Sequence, residues 1–406
     1  MMKNLARHIY RRIRAQLLQR MIPKSHASLP TKMDELCIEV IGFFHSISGI
    51  GESARLCAQQ LAADGYRVHC TSVETFFRKP KILPWDWPTP ATHPGDTPAI
   101  NCRIYHLNPP MLPPVILQMG IAQFKQTYNI GYWAWELEAI PDEWINALRY
   151  MNAIITPSHF TTRVIQRYTD SPVLTATHPV TCGATSSDIR TRLNIPAQAF
   201  VVSSIFSFGS AMERKNPLGL IAAFKAALAH KPDAYLILKA NAGGDSPEKK
   251  QLLDAIAGHP TILLIDQQWS HADILGLIQC SDLYASLHRS EGFGLTLAEA
   301  MLLHTPVLTT AWSGNMDFCN ADNSFLVPSK PIAVNSSHPE FSDFEQATWA
   351  DADISVATQW LTDIYQDRRL LAAKKSCCAQ QMQACIDRHK YQHALQHLVN
   401  SQGNSL

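Results

Sequence analysis

Two doubly wound Rossmann-like α/β domains facing across a cleft are the fold the sequence predicts, and three observations predict it. The chain has 406 residues, 46% of them hydrophobic and 17% charged, too many for one ordinary core and too apolar to stay unfolded. From residue 37 onward, short apolar runs alternate with amphipathic segments, the pattern of βα units around parallel sheets. The alternation lapses once, near residues 178–197 in "HPVTCGATSSDIRTRLNIPAQ", and then resumes. Open α/β sheets bind ligands at the carboxyl ends of their strands, so the expected site lies between two such sheets.

Taken in order, residues 1–33 form a basic amphipathic segment with eight basic and no acidic side chains, leaving the remainder a net −7 within an overall +1. In its first 24 residues Met2, Leu5, Ile9, Ile13 and Leu17 share one helical face, while Lys3, Arg7, Arg11 and Arg14 gather on the other. Such a helix either lies on an anionic membrane surface or packs on its own protein with a solvated basic face. Residues 34–190 form the first domain, with strands expected in "CIEVIGFF", "RVHCTSV", "INCRIYHL", "YNIGYWAW", "NAIITPS" and "PVLTATH". "FFRKPKILPWDWPTPATHPGDTP", with six prolines, is expected to be a long loop. Residues 191–350 form the second domain, with strands in "AFVVSSIFSF", "AYLILKA", "TILLIDQ", "DLYASLH", "TPVLTT" and "NSFLVPS". Residues 351–406 are expected to be helical, crossing back to the first domain.

Composition also excludes. The near-neutral balance gives no case for nucleic acid. Ten scattered cysteines without a C-x-x-C pair fit reduced core residues of a cytoplasmic protein, and no Cys/His spacing suggests a metal. No apolar run is long enough to span a bilayer, and arginines interrupt any candidate signal peptide.

The chemistry concentrates in "SLHRSEGFGLTLAEAM", where Glu291 and Glu299 stand eight positions apart across a glycine turn. The turn follows a predicted strand and opens a predicted helix, so its amides form a helix N-terminus suited to an anion. Gly292 and Gly294 admit a close ligand, and a carboxylate at Glu299 suits vicinal hydroxyls. "SEGFGLTLAEAMLLHTPVLTTAWSGNMDF" closely resembles the Glu-x7-Glu signature of the retaining GT-B glycosyltransferases, specifically glycosyltransferase family 4. "RKNPLGLIAAFKAAL", "SGIGESAR", "GYWAWELEAIPDEW" and "TPSHF" are similar to further segments of that family.

The resemblance implies a GT-B fold and a metal-independent retaining hexosyltransferase without a bound cofactor. It implies that Glu299 holds the ribose of a nucleotide sugar, and that Glu291 with Gly292, Phe293, Gly294 and Leu295 faces the transferred sugar and phosphates. Arg214 and Lys215 would neutralise the departing diphosphate, and Gly49 and Gly51 would let a second helix N-terminus approach it. Lys239 and Asn315 are further donor-side candidates. On the acceptor side, Glu136 takes the place where many relatives carry a histidine, with His106, Asn108 and Trp135 nearby. The turn reading Ser313, Gly314, Asn315, Met316, Asp317 departs from the family's Gly-Gly-Glu ending. Its wording is most similar to bacterial mannosyltransferases of exopolysaccharide and lipopolysaccharide biosynthesis. That implies GDP-mannose, or else a UDP-sugar, and a glycan or lipid-linked acceptor at the inner face of the plasma membrane.

Two rivals compete. "GIGESA" fits the G-x-G-x-x-A turn of an NAD-dependent oxidoreductase, with Glu74 at the distance of a ribose-binding acid, but this leaves the second half of the chain without a role. A GT-B nucleotide-sugar-binding protein without catalysis is the other. Asp351-Ala352-Asp353 imitates a metal-binding Asp-x-Asp, but its place at a predicted helix start favours capping.

Overall fold

The structure is a computed structural model that describes residues 14, 17, 18, 20–87, 99–241, 244–336, 338–341, 344 and 347–403. Sixteen of the first 24 residues, where the amphipathic face is predicted, and the end of the proline-rich loop therefore lie outside the described residues. The chain divides into two compact units, one of residues 1–135, 139–179 and 389–406, the other of residues 136–138 and 180–388.

In the first unit six parallel strands run in the order β2-β1-β3-β4-β5-β6. They are β1 (Cys37–Gly42), β2 (Arg67–Ser72), β3 (Cys102–Tyr105), β4 (Tyr128–Tyr132), β5 (Ala153–Thr156) and β6 (Val173–Thr175). Every residue of β1, β3, β4 and β5 is buried, because helices cover both faces of a parallel sheet, and the strands are largely apolar, with Glu39 paired with Arg103 at 2.7 Å and Asn129 donating to Phe124 O and Thr127 O. The core of Ile38, Val40, Ile104 and Ile130 is completed by Tyr391, Leu395 and Leu398 from the helix Tyr391–Gly403. Chain order doubles back between β1 and β3, which makes their carboxyl ends a topological switch point.

The second unit holds β7 (Phe200–Ser207), β8 (Ala234–Asn241), β9 (Ile262–Ile265), β10 (Leu283–Ser286), β11 (Val307–Thr310) and β12 (Ser324–Val327), in the order β12-β11-β10-β7-β8-β9. Here the switch point falls between β7 and β10, paired through Leu283 with Val202 and Tyr284 with Ser203. The twelve predicted strands are all present. A two-stranded antiparallel sheet was not expected: β13 (Ser329–Ala333) pairs with β14 (Thr348–Ala352), so Asp351 and Ala352, at the start of the stretch expected to be helical, are strand. Among the helices after β14, those ending at Arg388 belong to the second unit, and only residues 389–406 join the first.

Candidate functional site

The switch point of the second sheet is where its charged residues gather. Beyond β7 the chain makes one helical turn, Met212–Lys215, and is held there by Asn216 in a left-handed conformation (φ 51°). Asn216 caps the helix Pro217–Leu228 by accepting from Gly219 N, and its amide donates to Leu287 O at 2.9 Å, tying this turn to the end of β10. Arg289 N donates to Arg214 O at 2.7 Å, a second tie.

Arg214 and Lys215 are thereby brought against Glu291. Arg214 Nη1 donates to Ser290 O at 2.8 Å and lies 3.3 Å from Glu291 Oε2, while Lys215 Nζ is hydrogen-bonded to Glu291 Oε1. Glu136 joins the cluster, its Oε1 3.5 Å from Arg214 Nη2 and its backbone oxygen accepting from Ser290 Oγ. Arg214 Nε is buried with no hydrogen-bond partner, a donor in the wall of the site. Burial opposes the charge on Glu291, but Lys215 and Arg214 outweigh it and hold the carboxyl at about 2. Glu136 goes the other way: burial pushes it up to about 7 against the pull of Arg214, with the Glu340 and Glu291 carboxylates adding to the rise. Burial also raises Glu340, again opposed by Arg214, and lowers Lys215. Two cations and two carboxylates of opposite tendency thus share one largely buried place.

The turn after Glu291 is shaped by a neighbouring turn. Glu291 N donates to Ser313 Oγ at 2.8 Å and Gly314 N donates to Glu291 O at 2.9 Å. A Cβ on Gly314 would stand 2.3 Å from Gly292 O, so only glycine allows this approach. Gly294 (φ 100°) then starts the helix Leu295–Leu302, and Phe293 is buried against Phe318. Asn315 is buried and supports the turn from behind: its amide donates to Thr310 O at 3.0 Å, and its Oδ1 is 3.1 Å from His288 Nε2. Its side chain is thus committed to the protein's own groups. Glu299 is mostly buried and paired with His271. Lys239 is fully buried at the end of β8, donating to Ala240 O at 2.7 Å and Asn241 Oδ1 at 2.6 Å, and burial brings it down to about 8.

The remaining predicted residues belong to the first unit. Ser48 caps the helix Gly49–Ala63 by accepting from Gly51 N, and a Cβ on Gly51 would lie 2.5 Å from Phe43 O and 2.8 Å from Ser46 O. Gly51 is thus required by the protein's own backbone. His106 follows β3 and is buried, with Nδ1 2.8 Å from Ser53 Oγ and its ring stacked 4.5 Å from that of Tyr132; burial lowers its pKa well below the ordinary value. Trp135 is buried too, donating from Nε1 to Ala139 O at 2.7 Å. Asn108 is half-buried after β3. Glu74, the acid of the oxidoreductase reading, is fully buried and accepts from His45 N at 2.6 Å and from Ser72 Oγ at 2.5 Å, so it ties loops together. Asp353 caps the helix Ile354–Gln366 through Ser355 N at 2.9 Å, and Asp351 in β14 is 3.4 Å from Arg289. No cluster of three or more His, Cys, Asp and Glu arranged to hold a metal occurs among the described residues, and no described helix is long and apolar enough to cross a membrane. His288, Ser290, His271 and Glu340 were not predicted, and Ser313 was named only as part of its turn; His288 and Ser290 lie inside the stretch "SLHRSEGFGLTLAEAM", but nothing in their spacing marked them.

With this geometry in place, the likeness to known proteins is informative. The family described as Glycosyl transferases group 1 matches residues 192–336, the segment that carries Arg214, Lys215, Glu291 and Glu299. Sucrose-phosphate synthase from Thermosynechococcus elongatus is similar in structure, with a TM-score of 0.62 at 15% identity over 91% of this chain and 98% of that one. The Anabaena protein Alr3699/HepE, in complex with UDP and glucose, gives a TM-score of 0.61 at 14% identity over 91% of this chain and all (100%) of that one. A glycosyltransferase from Rickettsia africae gives 0.59 at 12% identity over 91% of this chain and 97% of that one. No curated protein matches in sequence. The fold is GT-B, built of two Rossmann-like units, and the family match supports a glycosyltransferase using a nucleotide sugar.

Proposed function

We propose that the protein is a retaining glycosyltransferase that moves a hexose from a nucleotide sugar to a glycan or lipid-linked glycan acceptor in cell-surface polysaccharide or lipopolysaccharide biosynthesis. The observation that carries this reading is the Arg214–Lys215–Glu291 cluster at the switch point of the second sheet, beside the helix N-terminus at Gly294. As the bond to the sugar breaks, the nucleoside diphosphate gains negative charge. Arg214, Lys215 and the first amides of the helix are fixed donors that stabilise that charge without reorganising. In the free protein Glu291 holds the two cations in place, and the arriving diphosphate takes over that role, leaving Glu291 toward the transferred sugar. Glu299 accepts from the ribose hydroxyls. Glu136, poised near neutrality, is suited to exchange a proton with the acceptor hydroxyl. The chemistry assigned to these residues uses no metal.

GDP-mannose is the first donor to test and UDP-sugars the second; the UDP complex of the Anabaena protein is the reason both belong in one panel. We also assign the protein to the cytoplasmic membrane face, held by the basic segment of residues 1–24. The test is a thermal-shift panel of UDP, GDP, ADP and NAD with the corresponding sugar nucleotides, followed by turnover of the form that binds. Substituting Arg214 or Lys215 by Ala should slow transfer by about two to three powers of ten if either acts like an oxyanion-hole donor. Stabilisation by NAD alone would replace this reading with the oxidoreductase one. Donor binding with neither transfer nor hydrolysis would leave a binding protein.

A further inference from the structure

Glu299 does not meet its ligand alone. Its carboxylate is 11% exposed, and Oε1 lies 3.0 Å from Nε2 of His271, whose side chain is 54% exposed. An ionised carboxylate only accepts, so the imidazole Nε2–H donates. The backbone of His271 is itself held firmly. It is the first residue of the helix His271–Cys280, whose cap is a reciprocal Ser270–Asp273 box. Asp273 is fixed in turn by Ser186 Oγ at 2.9 Å and by Arg192 Nη1 at 3.2 Å. The imidazole therefore stands on a rigid helix start, at the rim of the place where Glu299 surfaces. It uses one lone pair of one oxygen and leaves the others to a ligand with two adjacent hydroxyls. A glutamate side chain without such a tie samples several rotamers, few of which aim both oxygens at a diol.

We propose that His271 is a positioning residue that presents Glu299 to the ribose of the nucleotide donor and so sets the preference for ribonucleotides over deoxyribonucleotides. The proposal rests on the reading of Glu299 as the ribose acceptor. It predicts that changing His271 acts on recognition of the diol and not on the diphosphate end, where Arg214, Lys215 and Glu291 hold their own contacts.

The experiment is calorimetric titration of the full chain with UDP and GDP and with their 2′-deoxy and 3′-deoxy forms, using wild type, His271→Ala, His271→Gln, Glu299→Gln and the His271→Ala/Glu299→Gln double variant. His271→Ala should weaken ribonucleotide binding about fivefold, the effect of one net hydrogen bond. Binding of the deoxy forms should change by less than about twofold, because their single remaining hydroxyl gains little from having both oxygens aimed at a diol. His271→Gln, which keeps an N–H donor, should restore most of the loss. The double variant should bind no worse than Glu299→Gln alone, since the histidine acts through the glutamate. If His271→Ala leaves ribonucleotide affinity intact while Glu299→Gln loses it, the positioning role is wrong and the ribose assignment stands. If both single variants bind as wild type, the ribose assignment itself falls. An equal loss for ribo- and deoxyribonucleotides in His271→Ala, not recovered by Gln, would make the histidine a structural support only and overturn the proposal.

Discussion

Replacing Glu291 by Gln removes the carboxylate that is ion-paired with both Arg214 and Lys215. In the folded protein these cations hold the Glu291 carboxyl at about 2, against an ordinary 4.5. A depression of that size corresponds to roughly 3 kcal/mol of stability, of the same order as the cost of breaking a buried ion pair from one side. The side chain is 11% exposed, so solvent screens little of this. Because the folded-state pKa is lowered, the contribution is complete above the ordinary carboxyl pKa and fades as pH falls from about 4.5 toward 2. Glu291→Gln should therefore melt about 6–12 °C below wild type at pH 7, with the gap narrowing below pH 4.5. The same substitution frees two cations for a diphosphate. Added UDP or GDP at about 100 times its Kd contributes about 2.7 kcal/mol to any protein that binds it, and a given concentration should stabilise the variant more than the wild type, where the nucleotide must first displace the carboxylate. Melting curves at pH 7 and pH 4, with and without nucleotide, read both effects. Equal melting temperatures, or a nucleotide shift in the variant no larger than in wild type, would refute the view that Glu291 and the diphosphate compete for the same cations.

Glu136 gives the opposite sign. Its carboxyl is raised to about 7, so its ionisation costs stability progressively from about pH 4.5 up to 7. Glu136→Gln should be neutral or stabilising at pH 8 in a urea titration, while the limb of the pH–rate profile near 7 should disappear. Gly314→Ala pushes a Cβ into Gly292 O, and should lower turnover through the displaced 291–293 turn more than it lowers the melting temperature, as paired kinetic and thermal measurements would show. Chelators should leave transfer intact, since Asp353 is already committed to its helix cap and Asp351 to Arg289. Deleting residues 1–24 should release the protein from anionic vesicles while nucleotide binding persists, and the attachment of the full chain should weaken with salt because each basic residue contributes about 1 kcal/mol within a Debye length; vesicle co-sedimentation reports both.

The twelve parallel strands were legible because strands covered by helices are mostly apolar, as in "FVVSSIF" of β7 or "ILLI" of β9, and where β1 and β3 break the rule the charges of Glu39 and Arg103 pair with each other at 2.7 Å. β13 and β14 were not: "SKPIA" is mostly exposed and carries Pro331, and "TWADA" shows no apolar run. Within the site, the glycine turn could be read because a left-handed backbone at Gly294 and a close approach at Gly314 each require glycine. The meeting of Glu136 with Arg214 could not, since a polar contact between distant segments leaves no periodicity in one sequence. The glycine turn of the first unit shows the limit from the other side. Gly51 has the form of a ligand-binding glycine, yet the atoms that demand it are Phe43 O and Ser46 O of its own loop.

The division of the chain has a consequence for its synthesis. Everything the second unit contains between residues 180 and 388 leaves the ribosome before the helix Tyr391–Gly403, whose Tyr391, Leu395 and Leu398 are fully buried in the first unit's core. The part translated first is thus completed last. Until that helix is made, Val40, Ile104 and their neighbours lack part of their cover, while the later-translated sheet already has all its strands. A nascent chain arrested just before residue 389 would present a closed second unit behind a first unit with an open apolar seam, the kind of surface chaperones bind.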